Sequence, residues 1–201
     1  MKKIMFYSKH RSMLLKGSDI KSSGHLILFF TVFICGILIG CFVYKTDYVS
    51  PYLEHTAAYL IKLPALRQLG ISVFCAFFTL LIGIGGSMSC FGCGLLFPAP
   101  FFTGFIYAVL AMHLIVHAQA NGLGYFALLI LPAGTLWAVS AIIFCAFGAD
   151  LSNKIAQIVL FGGAADVNIK DYMFKPVQFL GLFLCASGAH FLLNKLFAGL
   201  F

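Results

Sequence analysis

The sequence predicts an all-α bundle of five membrane-spanning helices with a cytoplasmic N-terminus, and three observations predict it. First, 62% of the 201 residues are hydrophobic, only 9% are charged and the mean hydropathy is +1.02, whereas a soluble domain carries about 25% charged residues. Second, residues 68–149 contain no Asp, Glu, Lys or Arg, and neither do 22–44 or 176–194. A crossing helix takes about 20 apolar residues, so each short stretch holds one crossing and the long stretch holds several. Third, Lys2, Lys3, Lys9, Arg11, Lys16 and Lys21 crowd the N-terminus beside Asp19 alone. That balance suits a flank facing anionic lipid on the cytoplasmic side rather than a nucleic-acid surface.

The elements follow in order as one integral membrane domain, 1–201, behind a basic flank at 1–24. Span one is about 25–44, a signal anchor with no A-x-A cleavage site after it. Span two runs from about 70 to 86 and fades in Gly83-Ile84-Gly85-Gly86-Ser87. Span three, about 98–118, opens at Pro98, and Asn121-Gly122 is a turn signal. Span four is about 123–147. Span five is about 177–196, with Pro176 at a favoured first-turn position. The apolar segment 87–100 is rich in Gly, Ser, Cys and Pro, and reads as a turn or a re-entrant dip covered by protein.

Charge distribution supports five crossings over six. Five put the N-terminal cluster with Lys154, Lys170 and Lys175 inside and leave Lys45, Lys62, Arg67 and Lys195 outside, as the positive-inside rule prefers. Two loops are then substantial. In the outer loop, 45–68, Ser50 suits a cap, Pro51 a first helical position and Glu54 a first turn. Leu53, Ala57, Leu60 and Ile61 share one face of that amphipathic helix and are the candidate partner-docking residues. The helix lies on the outer membrane surface or caps the bundle. In the cytoplasmic loop, 148–175, span four continues through Ile155, Ile158, Val159 and Phe161 until Gly162-Gly163 ends it.

Few residues invite chemistry. Gly36 and Gly40 in span one, and Gly104 with Ala108 in span three, are small residues four apart that let helices approach closely in lipid. Their partner is another span of this chain or a second copy in a homo-oligomer. His113 and His117 sit one turn apart, the spacing of helical metal sites, with Glu54 and His55 expected at the same membrane face. The zinc-protease glutamate is replaced by Leu114, and the competing reading is interfacial histidines bonded to water or carbonyls. Cys90-Phe91-Gly92-Cys93 is a C-x-x-C without a second pair, and the seven cysteines read as packing residues rather than disulfides. Ser87 and Ser89 lack a G-x-S-x-G context. His190 is the deep ionisable residue of span five. No nucleotide-binding loop is present. The expectation is a protein that is not an enzyme and takes no cofactor and no resident metal.

Four stretches carry a family resemblance: the basic flank leading into the apolar run 25–40, then Leu81-Ile-Gly-Ile-Gly-Gly-Ser87, Pro100-Phe-Phe-Thr-Gly-Phe105 and Gly122-Leu-Gly-Tyr-Phe-Ala-Leu-Leu-Ile-Leu-Pro132. Over most of its length the chain resembles the stage II sporulation protein M family of small bacterial membrane proteins. It departs from the pattern where a basic residue is expected just before Gly104, and where Ala133-Gly134 stands in place of a polar amide. The resemblance implies a multi-pass scaffold of the bacterial cell membrane. Such a scaffold would position a peptidoglycan amidase and a lytic transglycosylase during engulfment of the forespore. The alternative function is the membrane subunit of an ABC-type transport system, suggested by the broken segment at 83–100.

Overall fold

A computed structural model describes residues 24–46, 50–162 and 169–197. The basic flank, apart from its last residue, lies outside them. Among the described residues the chain is all helical, without strands. Helix α1 spans residues 24–44, followed by α2 (Ser50–Lys62), α3 (Ala65–Ser87) and the short α4 (Gly92–Leu96). Then come α5 (Pro98–Tyr125), a π-helical turn (Phe126–Ile130), α6 (Leu131–Phe161) and α7 (Ile169–Phe197).

Four helical stretches are long and apolar enough to cross a membrane: Gly24–Tyr44, Leu66–Ser87, Gly92–Leu160 and Phe174–Phe197. The first is 21 residues long, about 31 Å at 1.5 Å per residue, which matches a hydrocarbon core of about 30 Å. The third has 69 residues but is not straight. At Gln119 the backbone takes φ 47° and ψ −123°, outside helical values, and the chain folds back. Gly122 then lies against the Leu114 carbonyl, and Gly134 against the Tyr107 ring. Large side chains remain uncovered along these helices. On α1, Ile27, Leu38 and Phe42 are 68%, 64% and 75% exposed. So much contiguous apolar surface is stable against lipid and not against water.

The structure moves several expected boundaries. The fold-back falls at Gln119, not at Asn121-Gly122, because Gly122 is spent on close approach to Leu114 rather than on the turn. Helix α3 begins at Ala65, ahead of the expected start near Gly70. Pro176 lies inside α7 rather than at its first turn. Helices in lipid tolerate such a proline because neighbouring groups satisfy the freed carbonyl. The ambiguous 87–100 segment resolves into a turn and α4, which joins α5 through Phe97 with little change of backbone (φ −59°, ψ −40°). Helix α6 stops where Gly162 adopts φ 62°, the left-handed conformation glycine adopts without a Cβ clash.

Helix α6 is the axis of the bundle. On one side Ile142, Cys145, Ala146 and Ala149 form a core with Phe29 of α1 and Leu96 of α4. On the other, Ala141 and Phe144 pack with Ala76 and Leu80 of α3 and with Phe179 and Phe183 of α7. The Phe144 and Phe179 rings lie 5.2 Å apart. Gly83 is required here, since a Cβ would overlap the Phe144 ring. A third cluster joins Tyr44 of α1, Ala57 of α2 and Val109 of α5. The bundle thus has an α2 end, with Tyr44, α2 and Gln119, and an α4 end, with His25, Ser87, α4 and Asp150.

Candidate functional site

The structure brings the small residues Gly36, Gly40, Gly104 and Ala108 together within the chain. A Cβ on Gly36 would overlap the Phe101 carbonyl, and one on Gly104 the Phe33 carbonyl. One on Gly40 would lie 2.8 Å from Ala108 Cβ. Helices α1 and α5 therefore cross backbone to backbone, which only small residues allow. This crossing places the last turn of α1 beside α5, where Tyr44 and His113 share a hydrogen bond of 3.2 Å.

The same juxtaposition builds a cleft at the α2 end. It measures about 590 Å³ and is lined by Pro51, Glu54 and His55 of α2 and by His113, Leu114 and His117 of α5, among others. The two α5 imidazoles are 4.5 Å apart between centroids. The four titratable residues singled out from sequence thus face one space. They do not converge as metal ligands: among the described residues no three His, Cys, Asp or Glu side chains are grouped to hold an ion. The cleft is wide, and His55 and His117 are exposed on its rim.

The candidate docking residues Leu53, Ala57, Leu60 and Ile61 turn toward the bundle. Ala57 is 1% exposed, Leu53 packs on its cluster, and Leu60 and Ile61 line an interhelical cavity. This apolar face is covered by the chain itself. Gln68 fixes the helix further, its Nε2 donating to the Leu60 and Ile61 carbonyls at 2.9 and 3.3 Å. The face left open carries Tyr52, 77% exposed, and Tyr59, 57% exposed. Sequence reasoning missed these rings, although tyrosines seven apart on an amphipathic helix share a face.

At the α4 end, His25 Nδ1 donates to Asp150 Oδ1 at 2.7 Å, and Asn153 Nδ2 donates to His25 Nε2 at 3.0 Å. This network ties the start of α1 to α6. Ser152 Oγ donates to the Ser89 carbonyl at 2.7 Å, pinning the turn before α4. Cys90 in that turn and Cys93 in α4 are free thiols, each half-buried. Ser87 is fully buried, and its hydroxyl donates to the Gly83 carbonyl of its own helix. Tyr172 is buried beside Ser87, yet its hydroxyl makes no hydrogen bond of standard geometry. Burial pushes that phenol above its ordinary range, with Ser87 partly opposing the shift.

Neither a scan of protein-family models nor searches of curated proteins and of solved structures finds a match to this chain.

Proposed function

We propose that this chain is a scaffold of the bacterial cell membrane that crosses it five times and holds peptidoglycan hydrolases without performing chemistry itself. The reading starts from the resemblance to the stage II sporulation protein M family, which supplies the expected partners, an amidase and a lytic transglycosylase. Five crossings are favoured because the stretch folded at Gln119 leaves two arms, 98–118 and 120–160, each long enough to span. The clustering of lysine and arginine in the first 21 residues supports a cytoplasmic N-terminus, which puts α2 on the outer face.

One observation carries the proposal. Helix α2 is bolted to the bundle through Ala57 and Gln68 and displays Tyr52 and Tyr59 on its open side. Exposed tyrosines on a rigid element, beside a polar cleft, make a surface suited to protein recognition. The test is a pull-down of the full chain from native membranes in mild detergent, with co-purifying proteins identified by mass spectrometry. We expect an amidase or transglycosylase to be retained by the natural chain and lost from Tyr52→Ser/Tyr59→Ser. Recovery of a transport ATPase instead would overturn the reading in favour of a transport subunit. Unchanged hydrolase capture by the double variant would remove α2 as the docking surface.

A further inference from the structure

A second, half-open space lies at the α2 end between α2, α3, α5, α6 and α7, with a volume of about 180 Å³. A protein cavity of about 150 Å³ is enough to take up benzene, so this one accommodates a single substituted ring. Most of its wall is aliphatic, including Leu63, Leu110, Ile130 and Ala133. Among the described residues no Asp, Glu, Lys or Arg lines it. A charged ligand would lose its hydration there with no opposite charge to offset the loss, which favours neutral molecules.

Aromatic and polar groups give the space its chemistry. Trp137, the single tryptophan of the chain, lines it and is held by Phe183 at 4.6 Å between ring centroids. Tyr107 enters from α5 and His190 from α7. Both are half-buried, and both line the space. Each can donate a hydrogen bond to a ligand oxygen or accept one from it. The walls are braced, since Gln68 bonds to the α2 carbonyls and accepts from Asn194 Nδ2 of α7 at 2.7 Å. A way out exists toward lipid. Ile71 of α3 and Ile106 of α5 both line the cavity and are 40% and 48% exposed.

From these features we infer that the cavity binds a neutral, lipid-borne ring bearing carbonyl or hydroxyl oxygen, in the chemical class of tailed quinones and their quinols. The ring lies beside Trp137, where flat aromatic faces favour it. Its oxygens hydrogen-bond to His190 and Tyr107. Its hydrocarbon tail leaves past Ile71 and Ile106 into the bilayer. This assignment stands apart from the scaffold reading and concerns binding alone.

Because Trp137 is the sole tryptophan, its fluorescence reports on this space directly. The purified full chain in detergent is titrated with a decyl-tailed benzoquinone, whose ring quenches indole emission. We expect saturable quenching, weakened about tenfold in His190→Phe by loss of one hydrogen bond, and abolished in Ala133→Leu, which fills the cavity. Quenching that rises linearly with quinone and is the same in Ala133→Leu would mean the quinone only dissolves in detergent, and would overturn the proposal. Should Ala133→Leu fail to fold, competition on the natural chain decides. Decylbenzene, which lacks ring oxygen, should displace the quinone poorly, and equal displacement would overturn the assignment of an oxygen-bearing ring.

Discussion

Replacing Gly40 with alanine should loosen the bundle at the crossing of α1 and α5, and the structure sets the size of the effect. The added methyl would stand 2.8 Å from Ala108 Cβ and 2.8 Å from the Phe105 carbonyl oxygen. Carbon atoms in ordinary contact lie about 3.5–4.0 Å apart, so the overlap is about 1 Å. The Phe105 oxygen belongs to the backbone and cannot swing away, and the helices must part. Overpacking of this kind costs about 1–3 kcal/mol. In a chain of this size that lowers the melting temperature by about 2–4 °C per kcal/mol. Gly36→Ala meets the Phe101 carbonyl and should cost at least as much. The double variant should lose less than the sum, because one displacement of α1 relieves both sites. The assay is thermal unfolding in mild detergent, followed by a thiol-reactive dye. With the other six cysteines, three of them exposed, replaced by serine or alanine, Cys145, fully buried, reacts only once the bundle opens. Gly181→Ala is the control, as a Cβ there meets nothing within 4 Å. If Gly36→Ala/Gly40→Ala melts with the Gly181 variant, α1 is not seated on α5 and the close-crossing argument fails.

Two further outcomes follow from the α4 end. Asp150→Ala removes the acceptor of His25 and should destabilise the fold by about 0.5–1.5 kcal/mol. Asp150→Asn, which keeps a carbonyl oxygen, should retain much of that, and equal losses in the same melt would mean charge rather than the hydrogen bond holds α1. Tyr172→Phe deletes a buried hydroxyl that makes no hydrogen bond of standard geometry, so stability should be unchanged or raised by about 1 kcal/mol. A clear drop in melting temperature would show that the hydroxyl has a partner.

The membrane character and the helical class were legible because they rest on long-range composition. An apolar run of 20 residues or more without a charge is long enough to cross a bilayer and too apolar for a surface in water. The stop at Gly162 was legible too, since a left-handed residue after an apolar periodic run is a local signal. The small-residue spacing located the α1–α5 crossing, although only the structure identifies its partner as this chain. Boundaries failed where tertiary packing overrode the local signal. Gly122 looked like a turn residue and serves as a close contact, while Gln119, with no special propensity, takes the positive φ. The pairing of Leu53, Ala57, Leu60 and Ile61 with the bundle instead of with lipid or a partner was undecidable from periodicity, because all three environments reward the same stripe. The interhelical cavity left no sequence signal beyond the isolated His190, since its lining comes from five helices.

The break at residues 88–91 shows how irregular backbone is accommodated in so apolar a chain. Lipid offers no hydrogen bonds, so non-helical backbone at depth must find partners within the protein. Here the Met88 N–H donates to the Ile84 carbonyl, Ser89 N–H to Gly86 and Gly92 N–H to Ser89. The Ser89 carbonyl also accepts from Ser152 of α6. Space is made by glycine on both sides. A Cβ on Gly92 would overlap the Gly86 carbonyl, and one on Gly148 the Ser87 hydroxyl. Leu96 then fills the gap with no exposed surface, against Cys145, whose thiol points to the Leu96 carbonyl at 3.6 Å. Ser87, Ser89, Gly92 and Cys93, part of what looked like a candidate redox or nucleophilic motif, are thus placed by packing and hydrogen bonding. The turn is closed mainly by the ends of its own two helices and is tied to α6 by a single side-chain hydrogen bond.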